Sequence, residues 1–345
     1  MLSPVSRRSF LTASGAAAAS LLAPGAARPL WAVAKESAPV KAAPESIVKL
    51  LYESMNEEQK KTVCFAWDHV DKRRGLLRTR IENNWKITKP DIKSEFYTAD
   101  QQQMIRDIFE GITNPEWLPR WDQQLKDDVG GFGHRQSIAI FGEPGSGKFE
   151  FVLASRHMTQ RCDGDSADHV AFGGPILYAH EGEGLFEKPN HPSNVFWHQA
   201  LAATDLYRML DGKQQKQALV LQGMPSEEFV GFRGPQGEFQ GLPVSDLSRD
   251  QSARLQEVLR LLLEPFRQSD KTEVAKCLTA QGGLDRCHLA FYKEGDLGND
   301  EIWDNWRLEG PSFVWYFRGK PHVHVWVNVA DVPDIALNSY QNSIL

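Results

Sequence analysis

Cysteine is scarce: the 345-residue chain has four, at 64, 162, 277 and 287, and no two stand in a C-x-x-C spacing. That removes a zinc ribbon and a thioredoxin-like redox pair from consideration. Past residue 34 no apolar run approaches the ~20 residues needed to cross a bilayer, so the mature form is expected to have no stable membrane span. Charge of one sign never accumulates: 39 Lys+Arg face 45 Asp+Glu for a net of −6, so nucleic acid is not an expected partner. Ser193, Ser245 and Ser248 have no G-x-S-x-G elbow around them, which leaves an α/β-hydrolase reading without a nucleophile. No internal repeat is visible. What remains, 41% hydrophobic and 24% charged, describes a globular protein with ample core and excludes disordered, collagen-like and coiled-coil classes.

The N-terminus reads as an address. Ser6-Arg7-Arg8-Ser9-Phe10-Leu11 is a twin-arginine pattern, followed by an Ala-rich, weakly apolar stretch from Leu11 to Leu22 with no acidic residue before Glu36. Ala32-Val33-Ala34 supplies a small-x-small cleavage site, so residues 1–34 are expected to be a signal peptide. Cleavage removes Arg7, Arg8 and Arg28 and leaves the mature chain more acidic. An uncleaved anchor is the alternative, weakened by the shortness of the apolar run. The expected location is periplasmic or secreted, with the twin-arginine translocation machinery as a transient partner. That route carries folded proteins, commonly those loaded with a cofactor beforehand. In an oxidising compartment the four cysteines have two disulfides open to them in three pairings, Cys277–Cys287 being the nearest pair in sequence.

Residues 35–44 are an Ala/Pro/Lys linker, and 45–345 are expected to form a single domain. Its first part, 45–130, has a helical pattern: Ile47, Leu50, Leu51 and Met55 recur at helical spacing, as do Met104, Ile105, Ile108 and Phe109 after a cap at Thr98. Gly130-Gly131-Phe132-Gly133 breaks it, and a separate helical subdomain joined there is the second choice. Strands are then expected at 136–141, 149–155, 175–178, 288–292, 313–317 and 322–329. Helices are expected at 193–210, 214–222, 249–263 behind a Ser248 capping box, and 270–280. Grouped helices and grouped strands, without strict βαβ alternation, predict an α+β fold with a mostly antiparallel sheet.

Gly142-Glu143-Pro144-Gly145-Ser146-Gly147-Lys148 fits the G-x-x-x-x-G-K phosphate loop, but the fit ends there. Phe149 stands where a magnesium-binding hydroxyl is needed, and Phe149-Glu150-Phe151-Val152-Leu153 is β-prone where a helix must begin. A hairpin turn accounts for the glycines, and an ATPase is not expected.

The chemistry concentrates in histidines. In His322-Val323-His324-Val325-Trp326-Val327-Asn328-Val329, a strand puts the valines on a core face and His322 and His324 on the other, roughly 7 Å apart at Cα. His157, after Arg156, and His180, before Glu181, come from the middle strands. Three or four imidazoles suit copper or zinc and leave a position for water or O2. Glu181 or Asp163 is the acid/base candidate, and Arg156 or Arg161 would orient an anionic substrate. The chain is then expected to be an oxidoreductase or hydrolase acting on a small molecule or peptide. The rival is a metal-free periplasmic binding module in which the same face and the tryptophans Trp303, Trp306, Trp315 and Trp326 hold the ligand. Those tryptophans also fit a plain core, as His198 fits a packed helix face. His169 and His191 stand in loop-like, polar surroundings.

Several blocks carry a resemblance: FEFVLASRHMTQRCDGD at 149–165, GGPILYAHE at 173–181, NVFWHQ at 194–199, GGLDRCHLAF at 282–291 and WDNWRLEGPSFVWYFRGKPHVHVWVNV at 303–329. On these the chain resembles the bacterial members of domain of unknown function family 3500, which often carry a twin-arginine leader, and the likeness covers nearly all of the mature chain. The resemblance implies one fold throughout, with His157, His322 and His324 in the family's most characteristic blocks. An Ala-Glu pair is usual near position 180 in more distant members, which favours Glu181 over His180 as a site residue. It implies no substrate.

Overall fold

The computed structural model describes residues 42–146, 148–164, 169–182, 195–227, 230–298, 300–335 and 338–339; residues 1–34, read above as a signal peptide, and His191 lie outside them. Eight α-helices occur among the described residues: α1 Pro44–Ser54, α2 Glu57–Val63, α3 Ala99–Ile112, α4 Leu118–Val129, α5 Trp197–Met209, α6 Gly212–Ala218, α7 Arg249–Leu263 and α8 Gln268–Ala280. The main sheet has eleven strands: β1 Cys64–Phe65, β2 Ser137–Gly142, β3 Phe149–Ser155, β4 Met158–Asp163, β5 Ile176–His180, β6 Leu219–Val220, β7 Leu242–Pro243, β8 His288–Tyr292, β9 Asn305–Gly310, β10 Phe313–Arg318 and β11 Val323–Val329. The fold is α+β, and the sheet is mostly antiparallel, with β1 on β2 and β6 on β8 the parallel pairs.

Local chemistry explains the helix starts. Thr98 and Ser248 each accept from the N3 amide while Gln101 and Gln251 reach back to the cap, closing capping boxes on α3 and α7. Leu255, Val258, Leu259 and Leu262 then form the buried stripe of α7. The helices cover one face of the sheet, where one buried cluster runs from Val48 and Leu51 through Ile105, Trp121 and Leu259 to Val323, Val325, Val327 and Val329. That single cluster joins the N-terminal helices to the last strand. No helix among the described residues is long and apolar enough to cross a membrane.

The order β1-β2-β3-β4-β5-β11-β10-β9-β8-β7 shows two four-stranded meanders, β2–β5 and β8–β11, joined where β5 pairs with β11. The helices α5 to α8 lie in sequence between the two halves. Every residue of β11 is buried, so the face that carries His324, Trp326 and Asn328 is covered as well. Chain segments, not helices, cover it: Leu77, Trp85 and Ile87 pack on Ala139, Val152 and Ala154, while Val230 and Phe232 pack near Trp326 and Tyr316.

Several expectations change. Within 64–98 the chain has no α-helix, only a 3-10 turn at Leu77–Thr79: a short ribbon pairs 70–71 with 75–76, and Ile87 N–H donates to Ser137 Oγ at 2.9 Å while Thr88 Oγ1 donates to the Ile138 carbonyl at 2.8 Å. Tertiary bonds to the sheet there replace the i→i−4 ladder. β4 and β9 were not foreseen, because both alternate apolar residues with charges that the fold buries in ion pairs. Arg161 pairs with Glu150 at 2.6 Å, and Arg307 with Glu309 at 2.9 Å. None of the four cysteines is in a disulfide, so none of the pairings left open by the sequence forms, and burial pushes the Cys277 and Cys287 thiols up to about 12. The described residues of the glycine-rich segment, 142–146 and 148, lie between the antiparallel strands β2 and β3, with Glu143 N–H donating to the Lys148 carbonyl at 3.1 Å and no helix following. Trp306, Trp315 and Trp326 are fully buried core residues.

Candidate metal centre

The junction of the two meanders brings together residues far apart in sequence. Ser155 pairs with Met158, so Arg156 and His157 form the two-residue turn of the β3–β4 hairpin. His157 has φ 64, a left-handed conformation that costs a non-glycine residue on the order of 1 kcal/mol. Its surroundings fix it there: its N–H donates to the Asn83 carbonyl at 2.7 Å, its carbonyl accepts from Ala179 N–H at 3.0 Å, and its Nδ1 meets Asp128 Oδ1 at 2.9 Å. His322 and His324 arrive at the start of β11, where His324 lies opposite Ala179 of β5.

The three rings face one another through Nε2. His322 Nε2 lies 3.2 Å from His157 Nε2 and 2.9 Å from His324 Nε2, and the three candidate ligand atoms all lie within 4.8 Å of one another. Around a tetrahedral zinc with Zn–N bonds of ~2.05 Å, neighbouring nitrogens stand about 3.3 Å apart. The Nδ1 atoms all point outward to carboxylates: His157 to Asp128 at 2.9 Å, His324 to Glu227 Oε1 at 2.6 Å and His322 to Glu181 Oε2 at 3.7 Å. A neutral ring whose Nδ1–H donates to a carboxylate carries its lone pair on Nε2.

Electrostatics agree with neutral rings at two of the positions. Burial, reinforced by His324 and His157, holds His322 down at about 3. Burial also pushes His157 down, against the pull of Asp128. Burial raises the Glu227 carboxyl, but the His324 hydrogen bond, Arg318 and Trp326 outweigh it and hold the group at about 2. Glu227 therefore remains an acceptor, taking Arg318 Nη1–H at 3.0 Å and Trp326 Nε1–H at 3.0 Å as well.

The other expected site residues separate. His180 is next to this junction in the backbone, opposite Val323, yet its ring lies on the helix side of the sheet. There its Nε2–H donates to Asp127 Oδ2 at 3.1 Å, and its Nδ1 accepts from Val195 N–H. Glu181 does reach the centre, behind His322, and forms an ion pair with Arg156. Arg161 is fully buried four residues along β4, donating to Glu150, to the Pro175 carbonyl at 2.5 Å and to the Arg80 carbonyl at 2.8 Å. Asp163 stands beside Gly173 at the far end of β4, roughly 20 Å along the strand from His157. His198 tilts against Trp117 with centroids 5.6 Å apart, a packed position, and His169 pairs with Asp331 at 3.0 Å.

Two residues that complete the centre were missed. Asp128 and Asp127 occupy the last turn of α4, where the helix dipole disfavours negative charge by roughly 0.3–1 kcal/mol. Two acids before the Gly130 cap are thus a readable anomaly, resolved by the His157 and His180 rings they hold. Glu227 lies in a Gly/Pro-rich loop and had no such signal.

No curated protein and no solved structure matches the chain. The family model described as "Protein of unknown function (DUF3500)" matches residues 36–329, and on that match, which takes in all three converging histidines, the chain belongs to that family.

Proposed function

We propose that this is an exported, twin-arginine-translocated bacterial metalloprotein in which His157, His322 and His324 hold one copper or zinc ion. The observation that carries the reading is the pairing of two patterns: three Nε2 atoms converge, and each opposite Nδ1 faces its own carboxylate. Three lone pairs brought this close repel unless a proton or a metal ion sits among them, and carboxylate–histidine–metal triads orient rings in this way. An all-nitrogen set suits zinc and copper, and three protein ligands leave a position for water or substrate. Zinc held there would supply hydrolytic chemistry; copper would supply oxidation of a small molecule or peptide with O2 as the oxidant. Asp128 and Glu227 act through the rings they hold, and Glu181 stands 3.7 Å behind His322, engaged by Arg156.

The test is metal analysis of the mature chain purified from its native compartment. Near one copper or zinc per chain is expected, lost in a His322→Ala, His324→Ala double variant, with a copper(II) paramagnetic signal separating the two metals. Added metal should raise the melting temperature of the stripped protein, since a ligand that binds only the folded state stabilises it. A metal-free protein whose melting temperature ignores both ions favours the rival binding module and sinks the metal centre.

A further inference from the structure

The turn that carries His157 also forms the wall of a cavity. Arg156, Asn84, Trp85, Lys86 and Arg135 line a space of about 460 Å³. The connection to the triad is direct. Asn84 forms a β-bridge with Arg156, His157 N–H donates to the carbonyl of Asn83, and the Arg156 guanidinium donates to Glu181. Three of the five lining residues are cations and none is an acid, in a chain whose net charge is −6. A second cavity of about 320 Å³, lined by Arg74, Lys86, Ile87, Thr88 and Lys89, shares Lys86 and extends the positive lining.

The cations are not equivalent. Lys86 is engaged, with Nζ 2.7 Å from Asp91 Oδ1 and donating to the Lys89 carbonyl at 2.6 Å. Arg135 has no hydrogen-bond or ion-pair partner among the described residues, and its backbone holds the left-handed φ 53. An unengaged guanidinium in a cavity wall presents a planar fork of donors that matches an oxyanion. Arg156 offers a second fork, now turned to Glu181. Trp85 is tied in place by its Nε1–H, which donates to Thr159 Oγ1 at 3.0 Å, and gives the wall an apolar surface.

We infer that this cavity binds the oxyanion group of a small molecule, a carboxylate, phosphate or sulfate, between the guanidinium groups of Arg135 and Arg156. It is the substrate cavity of the metal centre, and that part of the inference rests on the metal reading; the anion site does not. An arriving oxyanion competes with Glu181 for Arg156. Glu181 is then released toward His322 Nδ1, 3.7 Å away, so anion binding and the anchoring of one metal-binding ring are coupled.

The experiment titrates the full mature chain, metal-stripped and zinc-loaded, with inorganic phosphate, sulfate and acetate, read by calorimetry and tryptophan fluorescence. A Kd of about 1 mM for at least one anion is expected in the stripped protein, weakened tenfold or more in Arg135→Ala and in Arg156→Ala. Arg135→Ala should keep its circular dichroism and its zinc content. If Arg156→Ala fails to fold, Arg156→Lys, which retains the charge but not the fork, should weaken binding in the same direction. An anion that binds only zinc-loaded protein and ignores Arg135→Ala sits on the metal; that overturns the cavity and leaves the metal centre standing. No binding in either form overturns it equally. Arginine-dependent binding in a protein that takes up neither zinc nor copper supports the cavity and removes the metal centre, so the two failures are distinguishable.

Discussion

Strand β3 is bracketed by two turns, and they make opposite cases. The turn before it, Gly142 to Lys148, matches a nucleotide-binding pattern, yet each feature has a bland cause. Gly142 and Gly145 take φ 72 and 96, and the chain reverses between antiparallel partners. The turn after it, Arg156-His157, matches no pattern and places a non-glycine residue at φ 64. Glycine at a left-handed position needs only a turn to explain it. Histidine there, held by two backbone hydrogen bonds and a buried carboxylate, has its position imposed by its surroundings, and at such places function is worth seeking.

The sharpest way to break this contrast is to remove the acid beneath the second turn. Asp128→Ala leaves His157 Nδ1, Glu181 N–H and Gln124 Nε2 without their acceptor. It should destabilise the protein by about 3 kcal/mol or more in urea unfolding. Asp128→Asn keeps an acceptor oxygen, so it should fold while binding zinc roughly 10–100-fold more weakly. Equal zinc affinity in that variant would detach the carboxylate from the metal.

A smaller effect is expected at the first turn, and only on stability. In Gly142→Ala the new methyl meets the Lys148 carbonyl and the residue must hold φ 72, costing about 1–3 kcal/mol, with zinc content unchanged by elemental analysis. His157→Asn reverses the pattern. Asparagine tolerates the left-handed region and can still donate to Asp128, so the melting temperature should differ from that of the metal-stripped wild type by no more than about 1 kcal/mol would dictate, while a proposed ligand is lost and the protein is purified without metal. Metal retained at full occupancy would exclude His157 from the centre. The smallest effect belongs to Lys148→Ala: less than about 0.5 kcal/mol, no change in metal, and no nucleotide affinity in either form. Nucleotide binding abolished by that substitution would restore the phosphate loop.

Much of the frame was legible. The Thr98 and Ser248 boxes, the β3 and β11 strands and the valine face all follow from rules acting over a few residues, and the structure keeps them. β4 and β9 were not legible, because Arg161 and Glu309 read as solvent-facing until Glu150 of β3 and Arg233 of a distant loop are in place, and Arg307 until it is buried against Glu309. The histidines show the same limit. His322 and His324 share a face by strand period, whereas His157 and His180 looked equally eligible in sequence. Pairing of β5 with β11 brings both within reach, and the turn at His157 and the helix side of the sheet at His180 separate them.

The sequence by itself determined which residue types were available: imidazoles at two-residue spacing, an arginine before one of them, and alternating apolar faces that must be buried. Those are local properties, set by side-chain periodicity and capping over a turn or two. Only the tertiary structure decided which imidazoles meet, because the junction of two meanders brings together His157 and His322, 165 positions apart in the sequence. It also decided which carboxylates stand behind them, since Asp128 comes from a helix on one face and Glu227 from a loop on the other. Charges from opposite faces of a sheet are brought to one point by long-range pairing, and no local rule reaches that far.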